Sequence, residues 1–139
     1  MWYILYCILH SAYHNIYTIS SMDNWADGLN EVAITVTDEN GIFIDMNTHS
    51  KRVNLRDITK TIVGKDIKNC HNEKSNQIIQ QIIDSKTPNV YTITKNGQKK
   101  LIYQTPWFNE NGSFGGLVEF SLVIPEKMPH YNRDGEKKV

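Results

Sequence analysis

A cysteine and a histidine stand side by side just before the most strongly helical segment of this chain. In the stretch GKDIKNCHNEKSNQIIQQIID (64–84), Cys70 and His71 lead directly into an amphipathic pattern. A thiol and an imidazole can both ligate a metal or a haem iron, and a helix start adds unpaired N–H groups beside them. A helix start also favours the thiolate form of a cysteine, which would make Cys70 a redox-sensitive thiol. The alternative is that Cys70 is a small buried residue.

The rest of the composition excludes several kinds of chemistry. Lys and Arg total 15, as do Asp and Glu, so a net charge of +0 gives no electrostatic argument for binding nucleic acid. No CxxC, HExxH or CxxCH spacing indicates a zinc site or a covalent haem. No phosphate loop, nucleophile elbow or paired-carboxylate motif occurs, so we do not expect an enzyme. Cys7 and Cys70 could form a disulfide, although a domain of this size can fold without one.

The chain divides into an extension, a domain and a tail. Residues 1–22 are rich in Tyr, Ile and Leu but lack Lys and Arg, and they fit neither a signal peptide nor a membrane span. We expect them to be an N-terminal extension that is non-native or weakly ordered, with Met22 as the candidate initiator. The domain covers 23–124 and the tail 125–139, and we expect a cytoplasmic protein without membrane contact.

Hydrophobic periodicity and turn signals predict the order of the elements. A helix over 23–30 and strands over 31–37 and 42–47 precede short helical turns across 48–63, a helix over 75–85, and strands over 90–94, 99–108 and 114–124. Asn-Gly pairs at 40–41, 96–97 and 111–112 predict hairpin turns, and Gly115-Gly116 indicates a bulge or a close backbone approach. These elements predict an α+β fold, a five-stranded antiparallel sheet with helices on one face and a cavity between the layers.

Three motifs resemble those of PAS domains. The opening hairpin ITVTDENGIFIDMN (34–47) is similar to the first PAS hairpin through Asp38, Gly41, Ile42 and Asn47. The stretch VGKDIKN (63–69) resembles the step before the long helix, and NGSFGGLVEFSLVI (111–124) resembles the last strand. This resemblance, over about residues 25–124, implies the PAS fold.

A narrower motif surrounds the Cys-His pair. The pattern NCHxxxS, from Asn69 to Ser75, is similar to a PAS subfamily that is often fused to hemerythrin-like domains in bacteria and archaea. Asn72 and Glu73 stand where that subfamily has two prolines.

The resemblance implies a stand-alone sensory domain that binds a small molecule in its cavity. Such a domain would signal through association with itself or with another signalling protein. The candidate cavity residues are Asn47, Cys70, His71, Ile79, Tyr103 and Trp107.

Two alternatives remain open at this stage. One is a haem-binding redox or gas sensor with His71 as iron ligand, although haem-binding PAS domains usually carry that histidine inside the long helix, and residues 76–84 contain none. The other is a protein interaction module without any small ligand.

Overall fold

A computed structural model describes residues 24–57 and 59–135 of the chain. Its elements are α1 (Asn24–Asp27), β1 (Val32–Thr37), β2 (Phe43–Met46), α2 (Thr48–Asn54), a 3₁₀ turn (Ile67–Cys70), α3 (Glu73–Ser85), β3 (Asn89–Lys95), β4 (Gln98–Phe108) and β5 (Phe114–Val123). The extension at residues 1–22, and with it Cys7, falls outside the described residues, and residues 125–135 form no helix or strand. None of the described helices is long and apolar enough to cross a membrane.

The strands form one antiparallel sheet in the order β2-β1-β5-β4-β3. The first hairpin therefore pairs with the last strand, after the chain has crossed through α2, the 3₁₀ turn and α3. This arrangement confirms the predicted fold class, a five-stranded antiparallel sheet with helices. Its core is the cluster Phe43, Ile67, Ile79, Ile82 and Leu117, which joins the sheet to α3 and the 3₁₀ turn.

The hairpin turns follow their local sequence. Asn96 and Gly97 both have positive φ angles, 54° and 73°, as a two-residue turn between right-twisted strands requires. The first turn is wider than the predicted tight hairpin, since only Gly41, and not Asn40, has a positive φ angle there. The reason is Asp38, whose Oδ1 accepts the backbone N–H groups of Asn40 and Ile42 at 2.9 Å each and so organises a longer turn.

Side-chain caps set where the helices begin. Asn72 Oδ1 accepts the backbone N–H of Ser75 at 2.9 Å, so α3 starts at Glu73, two residues earlier than its apolar pattern predicts. Asn47 caps α2 in the same way through Ser50. The predicted short turns across 48–63 are thus one seven-residue helix followed by a loop.

The glycine pair in β5 allows a close backbone approach, as predicted. A Cβ on Gly116 would lie 2.1 Å from the carbonyl oxygen of Thr37, and a Cβ on Gly115 would lie 2.3 Å from the Trp107 ring. The pairing of β4 with β5 shifts register beside Trp107. The indole of Trp107 therefore rests on Gly115, and its Nε1 donates to Thr37 O at 2.9 Å.

Candidate ligand site

A cavity of about 320 Å³ lies between the sheet and the helical layer. Most of its wall is apolar and comes from β2, β5, α3 and the loop before the 3₁₀ turn. The apolar lining residues are Phe43, Leu55, Ile62, Ile67, Ile79, Ile82, Leu117 and Val118. A cavity of this size, with an apolar wall and a few converging polar groups, is typical of small-molecule sites.

A second cavity of about 210 Å³ adjoins the first. Four residues line both: Asn54, His71, Gln104 and Glu119. The second cavity is more polar, because Tyr91, Lys95 and Lys100 from β3 and β4 also line it. The four shared residues thus form a polar wall between an apolar space and a polar one.

Strand register explains how this shared wall is assembled. Glu119 of β5 is paired with Gln104 of β4, and Gln104 is paired with Asn89 of β3. Residues paired across antiparallel strands point to the same face, so the three side chains form one row. Asn89 Nδ2 donates to Gln104 Oε1 at 2.8 Å, and Gln104 Nε2 donates to Glu119 Oε2 at 2.7 Å.

The same row continues to the helical layer. Thr35 of β1 is paired with Glu119, and its Oγ1 lies 2.9 Å from Ser50 Oγ of α2. Asn54 Nδ2 donates to the same Ser50 oxygen at 3.1 Å. A polar row therefore crosses four strands and ends on α2.

The carboxylate of Glu119 determines which group donates and which accepts in each hydrogen bond of this row. An ionised carboxylate only accepts hydrogen bonds, so the Gln104 amide must turn its NH₂ group towards Glu119. Its oxygen then faces Asn89, which must donate in turn. Each amide is held by its neighbour, and Glu119 is the final acceptor.

His71 reaches the shared wall from the 3₁₀ turn. Its Nδ1 lies 2.9 Å from the carbonyl oxygen of Ile67. Since a carbonyl only accepts, Nδ1 must carry the proton, and in the neutral ring Nε2 is then an acceptor. Asp66 supports the turn by accepting the backbone N–H of Lys68 at 2.8 Å.

The charge of Glu119 extends towards Tyr91. Burial raises the pKa of the Tyr91 hydroxyl, and the nearby Glu119 carboxylate raises it further. Both effects disfavour ionisation of the Tyr91 hydroxyl, which would place a second negative charge in the smaller cavity.

Three of the six predicted cavity residues come together in the structure. Cys70, His71 and Ile79 all line the larger cavity, with the Cys70 side chain exposed at its rim. Tyr103 and Trp107 share a face of β4, as predicted, but that face is opposite Ile102 and Gln104, which point to the cavities. Neither aromatic residue is among the lining residues of either cavity.

Asn47 also lies away from both cavities. Asn47 is 1% exposed, and its side-chain amide makes four hydrogen bonds. Oδ1 accepts from the backbone N–H groups of Ile34 at 3.0 Å and Ser50 at 2.9 Å. Nδ2 donates to the carbonyl oxygens of Ala26 and Val32 at 2.8 Å each. The structure places this side chain as a junction between α1, β1 and α2.

Sequence reasoning missed Gln104 and Glu119. One signal was available, because Gln104 and Glu119 are polar residues in the middle of strands that are otherwise rich in apolar residues. A polar side chain in such a position needs a partner when it faces a core. The pairing that brings them together depends on register, which the sequence does not show.

The comparisons with known proteins agree with this architecture. The sequence model of the PAS domain family matches residues 14–124. No curated protein matches the chain in sequence.

Solved PAS structures superpose on most of the domain. The PAS domain of the histidine kinase ThkA is 17% identical, with a TM-score of 0.56 over 66% of this chain and 98% of that one. A sensory box sensor histidine kinase from Vibrio cholerae is 12% identical, with a TM-score of 0.55 over 84% of this chain and 98% of that one. The Aer2 receptor from the same organism, a dual PAS–haem oxygen sensor, is 15% identical, with a TM-score of 0.53 over 68% of this chain and 95% of that one. At these identities the likeness establishes the fold, and together with the family match it shows that this chain belongs to the PAS domain family.

Proposed function

We propose that this domain is a sensor that binds a small molecule in the larger cavity. The observation that carries the proposal is the 320 Å³ space whose wall joins the sheet to α3 and the 3₁₀ turn. Both Ile79 of α3 and Leu117 of β5 line it, so a ligand there would contact both layers at once. PAS domains are generally sensory rather than catalytic, which agrees with this assignment.

Signalling would follow from differential binding. A ligand shifts the balance between two states of the domain only by as much as it binds one state more tightly than the other. A ligand between the layers favours the state in which α3 and the sheet hold the spacing that fits it. The change would then be read through association with a second copy or with another signalling protein.

The experiment is a matched pair of cavity variants. Ile62→Trp fills the larger cavity from a loop, whereas Val63→Trp adds the same ring at the next residue, which is 43% exposed and does not line the cavity. The freshly purified wild type and both variants are examined by native mass spectrometry for a retained molecule. Any retained molecule is then added back to the unfolded and refolded protein in a thermal melt.

We expect the wild type and Val63→Trp to retain the molecule, and Ile62→Trp to lose it. Adding it at 100 times its Kd should raise the stability of the wild type by about 2.7 kcal/mol. Retention in Ile62→Trp at the wild-type level would contradict binding in this cavity.

Haem is the second candidate ligand, and one contact favours it. The hydrogen bond from His71 Nδ1 to Ile67 O leaves Nε2 as an acceptor, which is the arrangement that metal-bound histidines commonly have. The wall formed by Gln104 and Glu119 opposes it, because it divides the space and leaves no continuous apolar slot for a flat macrocycle. The residues present therefore do not fit a haem without rearrangement.

Absorbance during titration with hemin tests this second candidate. We expect no Soret shift with the wild type. A shift that disappears in His71→Ala would instead establish His71 as the iron ligand and displace our first proposal.

An interaction module without ligand is the third candidate. The sheet face opposite the cavities carries Val90, which is 50% exposed, and Tyr103, which is 36% exposed. Tyr103→Glu should weaken any self-association seen by sedimentation velocity, while Gln81→Glu on the exposed side of α3 adds the same charge elsewhere. Association that is independent of any ligand, and is lost only in Tyr103→Glu, would support this candidate.

The NCHxxxS motif also supports membership of the subfamily associated with hemerythrin-like domains. In the structure the motif spans the end of the 3₁₀ turn and the cap of α3, and it brings His71 to the cavity wall. The intact mass of the native protein tests whether such a partner domain is attached, because a fused hemerythrin-like domain would add its own mass.

A further inference from the structure

The larger cavity carries one formal charge among its described lining residues, and that charge is negative. Of the described residues that line it, Glu119 is the only acidic one, and none is Lys or Arg. The two lysines nearby, Lys95 and Lys100, line only the smaller cavity. Among the described lining residues, a ligand in the larger cavity therefore meets one carboxylate and the His71 imidazole, but no ammonium or guanidinium group.

The Glu119 carboxylate is not saturated by its neighbours. Gln104 donates to Oε2, and within the described part of the chain no further hydrogen bond reaches Glu119. No Lys or Arg among the described residues forms an ion pair with it within 4.0 Å. A half-buried carboxylate with one amide donor retains capacity for a charged donor.

The other groups on the shared wall are mainly acceptors or already engaged. Asn54 Nδ2 donates to Ser50 Oγ, and Asn54 Oδ1 remains an acceptor. His71 Nε2 is an acceptor in the neutral ring, since Nδ1 donates to Ile67. The Gln104 oxygen is occupied by Asn89, and its NH₂ group faces Glu119. The wall thus offers acceptors in excess, and it would be best satisfied by a ligand rich in hydrogen-bond donors.

We propose that the ligand carries a protonated nitrogen, such as an ammonium or amidinium group, on a compact apolar body. The nitrogen would donate to Glu119 and His71 at the shared wall, and the apolar body would fill the larger cavity between Ile79, Ile82 and Leu117. This inference rests on the proposed function and adds the chemical class of the ligand.

A charge series on one apolar frame tests the proposal. Phenethylamine, phenethyl alcohol and phenylacetate share a phenyl ring and a short chain, and their end groups are cationic, neutral and anionic. Their binding to the wild-type protein is measured by isothermal titration calorimetry at neutral pH. We expect the amine to bind at least about tenfold more tightly than the alcohol, because a hydrogen bond to a charged group is worth more than a neutral one, and phenylacetate to bind most weakly.

A matched pair of variants assigns the preference to Glu119. Glu119→Gln keeps the shape of the side chain and removes its charge, whereas Glu110→Gln makes the same change in the exposed turn between β4 and β5. We expect the advantage of the amine over the alcohol to fall to within about threefold in Glu119→Gln and to be unchanged in Glu110→Gln. The wild-type series itself needs no variant, so it tests the proposal even if Glu119→Gln folds poorly.

The outcomes separate this inference from the proposed function. Equal binding of the three probes, or a preference for phenylacetate, would refute the charge preference and leave a ligand cavity in place. A preference for the amine that persists in Glu119→Gln would refute the role of Glu119. Failure of all three probes to bind the wild type would overturn this inference, and a retained molecule that is lost in Ile62→Trp would still support the proposed function.

Discussion

Replacing Asn47 by alanine should be among the most destabilising polar substitutions in this domain. The side chain is 1% exposed, and its amide is the only group that bonds α1, β1 and α2 together through a single side chain among the described residues. Alanine has no polar group that can replace these bonds, and the backbone groups that lose them cannot find other partners unless the backbone moves. We therefore expect a loss of stability that far exceeds the loss of one helix cap.

The magnitude follows from the four bonds taken separately. Losing the cap of α2 at Ser50 costs about 1 kcal/mol. The buried N–H of Ile34 loses its acceptor, which costs about 1–3 kcal/mol. The carbonyl oxygen of Ala26 keeps a second bond, from Leu29 N at 3.3 Å. The two bonds that Asn47 Nδ2 donates to the Ala26 and Val32 carbonyl oxygens are together worth about 1 kcal/mol. The sum is about 3–5 kcal/mol, a large part of the 5–15 kcal/mol of a typical domain.

Asn72→Ala is the matched control. Asn72 caps α3 as Asn47 caps α2, but its side chain is exposed and makes one hydrogen bond, to the Ser75 backbone. The control should cost about 1 kcal/mol. Urea unfolding of both variants, followed by circular dichroism, measures the difference, and the m-value should match that of the wild type. A cost for Asn47→Ala within about 1 kcal/mol of the control would refute the role assigned to the buried bonds.

Two further predictions concern the glycine pair and the acid limit of stability. Gly115→Ala should lower the free energy of unfolding by about 1–3 kcal/mol, because its Cβ would lie 2.3 Å from the Trp107 ring. Gly112→Ala is the control, since a Cβ there would have no atom within 4 Å and only the positive φ angle of 82° opposes it. This control should cost about 1 kcal/mol. Thermal melts in which Gly112→Ala is the less stable of the two variants would contradict the packing of Trp107 on Gly115. Hydrogen bonds from Thr48 lower the pKa of Asp27 in the folded state. The contribution of Asp27 to the free energy of unfolding is therefore fully present above its pKa in the unfolded chain, and it is lost as the pH falls through its pKa in the folded domain. Asp27 is exposed, so the effect should stay below about 1 kcal/mol, and urea midpoints between about pH 5 and pH 2 should fall less steeply in Asp27→Asn than in the wild type.

Local sequence signals predicted the elements of this domain well. The Asn-Gly pair at 96–97 has the positive φ angles that its turn requires, and the apolar stripe of α3 packs as expected, with Ile79 and Ile82 buried. These features depend on interactions within a few residues, so the chain encodes them in short stretches. The start of α3 was predicted less well, because the Asn72 cap contributes no apolar periodicity.

Only some of the predicted site residues line a cavity. Cys70, His71 and Ile79 line the larger cavity, since they follow from the position of the helix start and its buried stripe. Tyr103 and Trp107 were assigned to the cavity because they are aromatic and share a face, but that face lies on the other side of the sheet. Alternation along a strand separates two faces without indicating which one the helices cover.

The sequence alone determined the element order, the turn at 96–97, the buried stripe of α3 and the membership in the PAS family, because each is encoded locally or in short motifs. Tertiary structure was needed to place Thr35, Glu119, Gln104 and Asn89 in one row. Thr35 and Glu119 are far apart in the chain, and their contact exists only because β1 pairs with β5 in one particular register. Register between distant strands is set by the packing of the whole sheet against its helices, so the wall that we propose selects the ligand could be seen only in the folded domain.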